Sequence, residues 1–303
     1  MILSKYSSIV TLFSLPDRPQ PSTILTENNV TIELYFDKII QGQAKLIHVY
    51  GPDLVGVSML FLGNLTDFWS VPNDGYYGLI SVNMELPPNS YDLLIYGHYQ
   101  DSTQAIIKVT VPVSQGEFIH QKIELSSGKV YLADPSVERK ELALLESITS
   151  NLTNLILWDD NGFRIPIDAT LASPFGAFRI YNGFAHSRHT GWDMKAILGT
   201  PLSATASGRV VFAGVLDIRG NYVLIDHGYG IYSGYAHLSK ILVADGDTII
   251  AGQIIGKVGT SGRSEGSHFH WDMSINGSWV DGIDFTKLWI PLPIPSATIT
   301  GNS

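Results

Sequence analysis

The 303-residue sequence contains no cysteine. That absence excludes disulfides and thiolate-held metals together, so any metal site has to be built from imidazoles and carboxylates. Charge is scarce too: charged residues make up 16% of the chain and the formal net charge is −9. With a pI near 5.4 and no cluster of Lys and Arg, nucleic acid is excluded as the principal partner, because phosphate contacts depend on such clusters. Long apolar runs are missing as well. The longest, Val55 to Leu62, falls far short of the roughly 20 residues that cross a bilayer, so no membrane span is expected. Without cysteine, and without a Gly-x-Ser-x-Gly elbow preceding the histidine cluster in a strand-to-helix setting, the usual serine and cysteine hydrolases are set aside.

Hydrophobic residues at 45% describe an ordered globular protein, and the length suits two domains. Residues 1–22 form an N-terminal segment with one early lysine and an apolar stretch from Ser8 to Leu15. They imitate a secretory leader loosely, and no small-x-small cleavage site follows, so a leader remnant and a plain flexible N-terminus both stay open. Over 23–113, β-rich runs such as Val30 to Phe36, Ala44 to Tyr50 and Ala105 to Val111 alternate with turn clusters such as Gly51-Pro52 and Pro72-Asn73-Asp74-Gly75. That punctuation predicts an immunoglobulin-like β-sandwich. Residues 114–165 read as a linker ending in a short helix, since SVERKELALLESITSNLT has helical spacing, and its composition offers no chemistry. From 166 to 290 short β-branched and aromatic runs alternate with glycine, so this half is also mostly β. Residues 291–303 read as a tail.

Six of the nine histidines lie between positions 186 and 270. In His189-Thr190-Gly191-Trp192-Asp193 an extended backbone points residues 189, 191 and 193 to one face, and Gly191 is expected to leave room for an ion. In His268-Phe269-His270 both imidazoles share a face and Phe269 takes the other. Each pair alone is more often structural than functional, but two in one small β domain reverse that weighting. Two His and one Asp, with no thiolate, suit a catalytic zinc whose fourth position holds water.

The stretch from about Ser173 to Phe285 resembles the M23 zinc peptidases of the lysostaphin and LytM type, many of which cut peptidoglycan. The resemblance rests on Ser173-Pro174-Phe175-Gly176, the His189 to Asp193 element, Gly199-Thr200-Pro201, Gly220-Asn221, Asp226-His227-Gly228, Tyr235-Ala236-His237-Leu238-Ser239 and Gly262 to His270. It implies a LytM-type antiparallel β domain, one zinc ion per chain held by His189, Asp193 and His270, and two unmetallated catalytic histidines, His237 and His268. It also implies peptidoglycan peptides as the substrate, hence an extracellular or cell-envelope location, and a monomer is expected. Glu265, Ser267 and Phe269 depart from the commonest family wording, which bears on the substrate groove and leaves the metal positions intact. Two other functions are carried forward: a non-catalytic regulator of wall hydrolases, which loss of a ligand would betray, and a metallopeptidase acting on proteins. His186 is the competitor for His189, His227 is expected to be structural, and Trp192, Trp271 and Trp279 suit either a groove or a core.

Overall fold

The computed structural model describes residues 17–292. The expected leader-like stretch up to residue 16 and the tail beyond 292 lie outside the described residues. The protein is mostly β, as its sequence predicts.

The N-terminal unit is two five-stranded sheets. One runs, in spatial order, Thr23–Glu27, Val30–Leu34, Ala44–Tyr50, Gly75–Ser81 and Trp69–Val71; the other runs Ile39–Ile40, Gln104–Ser114, Asn89–Tyr99, Leu54–Phe61 and Asn64–Asp67. Alternation explains the pairing. In Gln104–Ser114 the buried residues are Ala105, Ile107, Val109, Val111 and Val113, with exposed residues between them, so one face of the strand joins the core. Val30, Ile32, Ile47, Val49 and Ile80 of the first sheet meet Met59, Leu93, Ile95 and Ile107 of the second in a single apolar cluster.

The C-terminal unit is built on a larger antiparallel sheet. Its central strands are β1 (Gly191–Lys195), β2 (Gly220–Gly228), β3 (Ile231–Ile241) and β4 (Phe269–Ile275), lying side by side in the order β1-β4-β3-β2. β2 and β4 are buried almost throughout, yet β4 alternates apolar Phe269, Trp271, Met273 and Ile275 with polar His270, Asp272 and Ser274, so both of its faces are covered and one of them is polar.

The stretch at 114–165 contributes secondary structure to this unit. His120–Ile123 pairs in parallel with Phe178–Tyr181. Helix α1, Pro135–Thr149, starts with Asp134 accepting a hydrogen bond from the Ser136 amide and proline in the first turn, both helix-start signals. Its Leu145 is fully buried against Leu216, Tyr222, Leu224 and Tyr232.

The two units share a core. The outer face of the first N-terminal sheet, with Leu46, Trp69, Val71, Tyr77 and Leu79, packs into the same cluster as Trp271, Met273, Phe285 and Ile290. Polar bonds cross the seam: the Trp69 indole donates to the Pro291 carbonyl (3.1 Å), the Ser81 hydroxyl to Ile275 (2.8 Å) and the Asn276 amide to Leu79 (2.7 Å).

Candidate metal centre

β1 and β4 pair antiparallel with Asp193 opposite His270 and Gly191 opposite Asp272, and β3 places Ala236 on the other side of His270. Cross-strand neighbours approach closely on one face of a sheet, so register alone brings Asp193 and His270 together across 77 residues of sequence. His189 enters from the residues just before β1. Its Nδ1–H donates to the Pro174 carbonyl at 2.7 Å, which leaves Nε2 as the unprotonated nitrogen.

Gly191 does something other than the expected task. A Cβ there would lie 2.1 Å from the Trp271 carbonyl oxygen, so the missing side chain admits the backbone of β4 rather than an ion.

Three donor atoms converge. His189 Nε2 is 3.1 Å from Asp193 Oδ1 and 3.0 Å from His270 Nδ1, and His270 Nδ1 is 2.9 Å from Asp193 Oδ1. His270 donates its Nε2–H to Asp272 Oδ1 at 2.7 Å, which directs the Nδ1 lone pair inward. All three residues are buried, and they form the His/Asp group able to hold a metal ion among the described residues. Converging lone pairs repel unless a cation, either a metal ion or a proton on His270 Nδ1, sits among them. Zinc bonds of about 2.1 Å in a tetrahedron set ligand atoms roughly 3.4 Å apart, a few tenths of an ångström beyond the observed edges, so the donor set fits zinc.

The titration of these groups follows from the same convergence. Burial pulls His189 down to about 4. Burial also opposes charge on His270, but Asp272 and Asp193 outweigh it and raise this imidazole to about 9. Asp193 is opposed by burial too, yet His189 and the Arg179 guanidinium, 2.5 Å from its Oδ2, hold its carboxyl well below the ordinary range.

Two further imidazoles flank the group. His237 Nδ1–H donates to the Ser261 carbonyl (2.8 Å), and His268 Nδ1–H donates to that of Gly266 (2.9 Å), so each keeps an unprotonated Nε2. The His237 and His268 ring centroids are 4.7 Å apart, and His268 Nε2 lies 3.6 Å from Asp193 Oδ1. Burial, then the neighbouring His268 and His270, push His237 well below its usual value. His237 also has a left-handed φ of 59°, at a point where the β2–β3 register slips by one residue. A bulge of this kind re-aims a side chain, and the strain of a non-glycine residue in that region clusters at functional sites.

The structure thus brings together all five residues singled out in the sequence. It leaves His186 exposed on Ala185–Arg188, away from the group. His227 is fully buried, donating to the Ser207 carbonyl and bonded to the Ser233 hydroxyl, a structural arrangement. Trp271 is core, and Trp192 donates to Asp281. Sequence reasoning missed Asp272, Arg219 and Arg179. Asp272 was findable, because two residues beyond His270 on a strand is the same face. Arg219 carried no local signal, since it reaches Asp272 from 53 residues away.

Residues 187–282 match the profile described as Peptidase family M23. The chain carries an M23 peptidase domain. It is 39% identical over 146 residues to DD-carboxypeptidase/endopeptidase Mpg of Neisseria meningitidis, covering 47% of this chain and 32% of that protein. It is 35% identical over 123 residues to peptidoglycan DD-endopeptidase ShyA of Vibrio cholerae, covering 40% and 29%. The matched stretch therefore spans about a third of the length of these relatives. A peptidase M23 crystal structure from Pseudomonas aeruginosa superposes with a TM-score of 0.60 at 24% identity, covering 83% of this chain and 97% of that one, so the fold is shared well beyond the M23 domain.

Proposed function

We propose that this protein is a zinc-dependent metalloendopeptidase that hydrolyses peptide bonds in the stem peptides or cross-bridges of bacterial peptidoglycan, with His189, Asp193 and His270 holding the ion. The observation that carries the reading is the buried meeting of three acceptor atoms, each fixed from behind: His189 by Pro174, His270 by Asp272 and Asp193 by Arg179. Carbonyl or carboxylate partners behind metal-bound imidazoles fix tautomer and raise basicity. A zinc ion bound there supplies Lewis acidity, polarising the scissile carbonyl and bringing the pKa of water from 15.7 to about 7.

The chain's own residues do the rest. His237 and His268, each with Nδ1–H tied to a backbone carbonyl, present Nε2 as a proton acceptor beside the three donors. One takes the proton of the attacking water, and the other, once protonated, donates to the developing oxyanion. Burial and the neighbouring imidazoles hold His237 well below its usual pKa, so it is unprotonated at neutral pH.

Substrate class rests on the relatives, whose names specify peptidoglycan or DD-endopeptidase activity. A cell-envelope or extracellular location follows from that substrate. Among the described residues no helix is long and apolar enough to cross a membrane. The intact set of five residues favours an enzyme over a regulator that has lost its ligands.

The test is digestion of purified peptidoglycan by the full chain, zinc-loaded and chelated, beside His270→Ala, with fragments identified by mass and bound zinc quantified. Zinc-dependent release of peptide fragments, absent in the variant, is the expected result. Zinc bound at one per chain with peptidoglycan left intact, while a protein substrate is cut, would move the assignment to the protein-directed peptidase.

A further inference from the structure

Glu141 lies in α1, outside the residues that match the M23 profile, and is 4% exposed, which is unusual for an acidic side chain. Its carboxylate accepts from the Ile218 backbone amide at 2.7 Å, from the Arg219 backbone amide at 3.3 Å and from the Arg219 guanidinium Nη1 at 2.9 Å. Arg219 in turn donates through Nε to Asp272 Oδ2 (2.8 Å) and through Nη2 to the Thr190 hydroxyl (2.9 Å). Thr190 and His270 both donate to Asp272 Oδ1, each at 2.7 Å, and the Tyr222 hydroxyl reaches Oδ2 at 3.2 Å. Every step from Glu141 to His270 is a buried, charge-assisted hydrogen bond.

The same residue also reaches the second histidine. The Arg219 carbonyl accepts from the His237 backbone amide at 2.8 Å, so the segment that Glu141 holds also fixes the bulge carrying that strained residue. We infer that Glu141 is a positioning residue of the metal centre: through Arg219 and Asp272 it sets the orientation of His270, and through the Arg219 backbone it seats His237. The inference rests on the zinc reading above.

The physical case concerns charge as well as geometry. Arg219 is shared between two carboxylates, Glu141 and Asp272. Removing the Glu141 charge leaves the guanidinium to pair with Asp272 alone, which draws electron density away from the oxygen that His270 Nε2–H uses. The group then becomes a poorer ligand, and a buried negative charge near a dication is lost. Partners behind metal ligands are worth tenfold to a hundredfold in metal affinity.

The anchoring role of α1 has to be separated from positioning, and Leu145 provides the control. It sits on the same helix, fully buried, and carries no charge. The full chain, wild type and as Glu141→Gln and Leu145→Ala, is titrated with zinc against a competing chelator, with thermal melting of metal-free and zinc-loaded samples in parallel. Glu141→Gln is expected to weaken zinc binding at least tenfold. Leu145→Ala is expected to lower both melting temperatures equally and leave zinc affinity within about twofold. Glu141→Asp keeps the charge and withdraws it by one methylene; it should lose less affinity than the Gln variant, and it answers the question if the Gln variant fails to fold. Unchanged zinc affinity in the folded Glu141 variants, or an equal loss in Leu145→Ala, overturns the positioning role. No zinc binding by the wild type overturns the metal reading itself.

Discussion

His189, Asp193 and His270 owe their chemistry to what stands behind them. Each donor atom is aimed by a partner that takes its other hydrogen-bonding position, so substitution should separate cleanly into two classes. Asp193→Asn and His189→Ala should abolish tight zinc binding, read by chelator competition, because they remove a donor. His237→Ala and His268→Ala should retain zinc and lower kcat by about 10²- to 10⁴-fold, the range for losing a proton-transfer group.

A residue outside the candidate centre, His227, also contributes to stability against acid. His227 is buried and pushed to about 4 by that burial, while its unfolded value is the ordinary 6.5. Between those values the unfolded chain takes up a proton that the folded chain refuses. Stability from this group is therefore fully present above about pH 6.5 and lost as pH falls toward 4, by about 2 to 3 kcal/mol. Urea unfolding at pH 7.0 and pH 4.5 should show that loss shrinking by this amount in His227→Gln.

At the level of elements, the candidate centre depends on the β1–β4 pairing. The Trp271 carbonyl fills the space that a side chain at Gly191 would need, and the same pairing sets Asp193 opposite His270. Gly191→Ala should therefore cost more than about 3 kcal/mol in denaturant unfolding, since backbone rather than a flexible side chain has to move. It should also weaken zinc binding, because the strands that carry two of the three donors are forced apart. Gly191 is a position where the residue type was noticed and its reason misjudged: the pattern of alternating faces predicts which side chains converge but says nothing about how near the next strand's backbone comes.

Helix α1 teaches a related lesson. Its helical spacing was legible from Ser136 onward, while its capped start at Asp134-Pro135 was not singled out. That Glu141 inserts into the interior was not, because an acidic residue between Lys140 and Leu142 reads as solvated until Arg219 is known to lie against it.

Across the whole molecule, the two units meet through apolar surface and not through a string of residues alone. Trp69 is 1% exposed, lies edge-on to Trp158 at 5.5 Å between ring centroids and donates to Pro291. Truncation of such a side chain in a core typically costs about 3 to 5 kcal/mol. Trp69→Ala should lower the melting temperature of the whole chain in calorimetry, and because the cluster belongs to both units the wild type should unfold in one transition. Two separate transitions in the wild type would contradict a shared core.

The sequence by itself determined the mostly β character, through alternation and turn punctuation, and, His237 aside, which only the family resemblance singled out, it marked the chemistry-bearing residues, because pairs at i, i+2 and i, i+4 have to share or approach one face of an extended chain. Those are local consequences of backbone geometry. Tertiary structure alone decided the rest: which imidazole nitrogen is left free, set by Pro174, Asp272, Ser261 and Gly266; the bulge that turns His237 inward; the Glu141–Arg219–Asp272 link; and the seam at Trp69. Each of these depends on groups far apart in sequence finding hydrogen-bond or packing partners in a buried, weakly screened interior, and no local periodicity encodes which partner that will be.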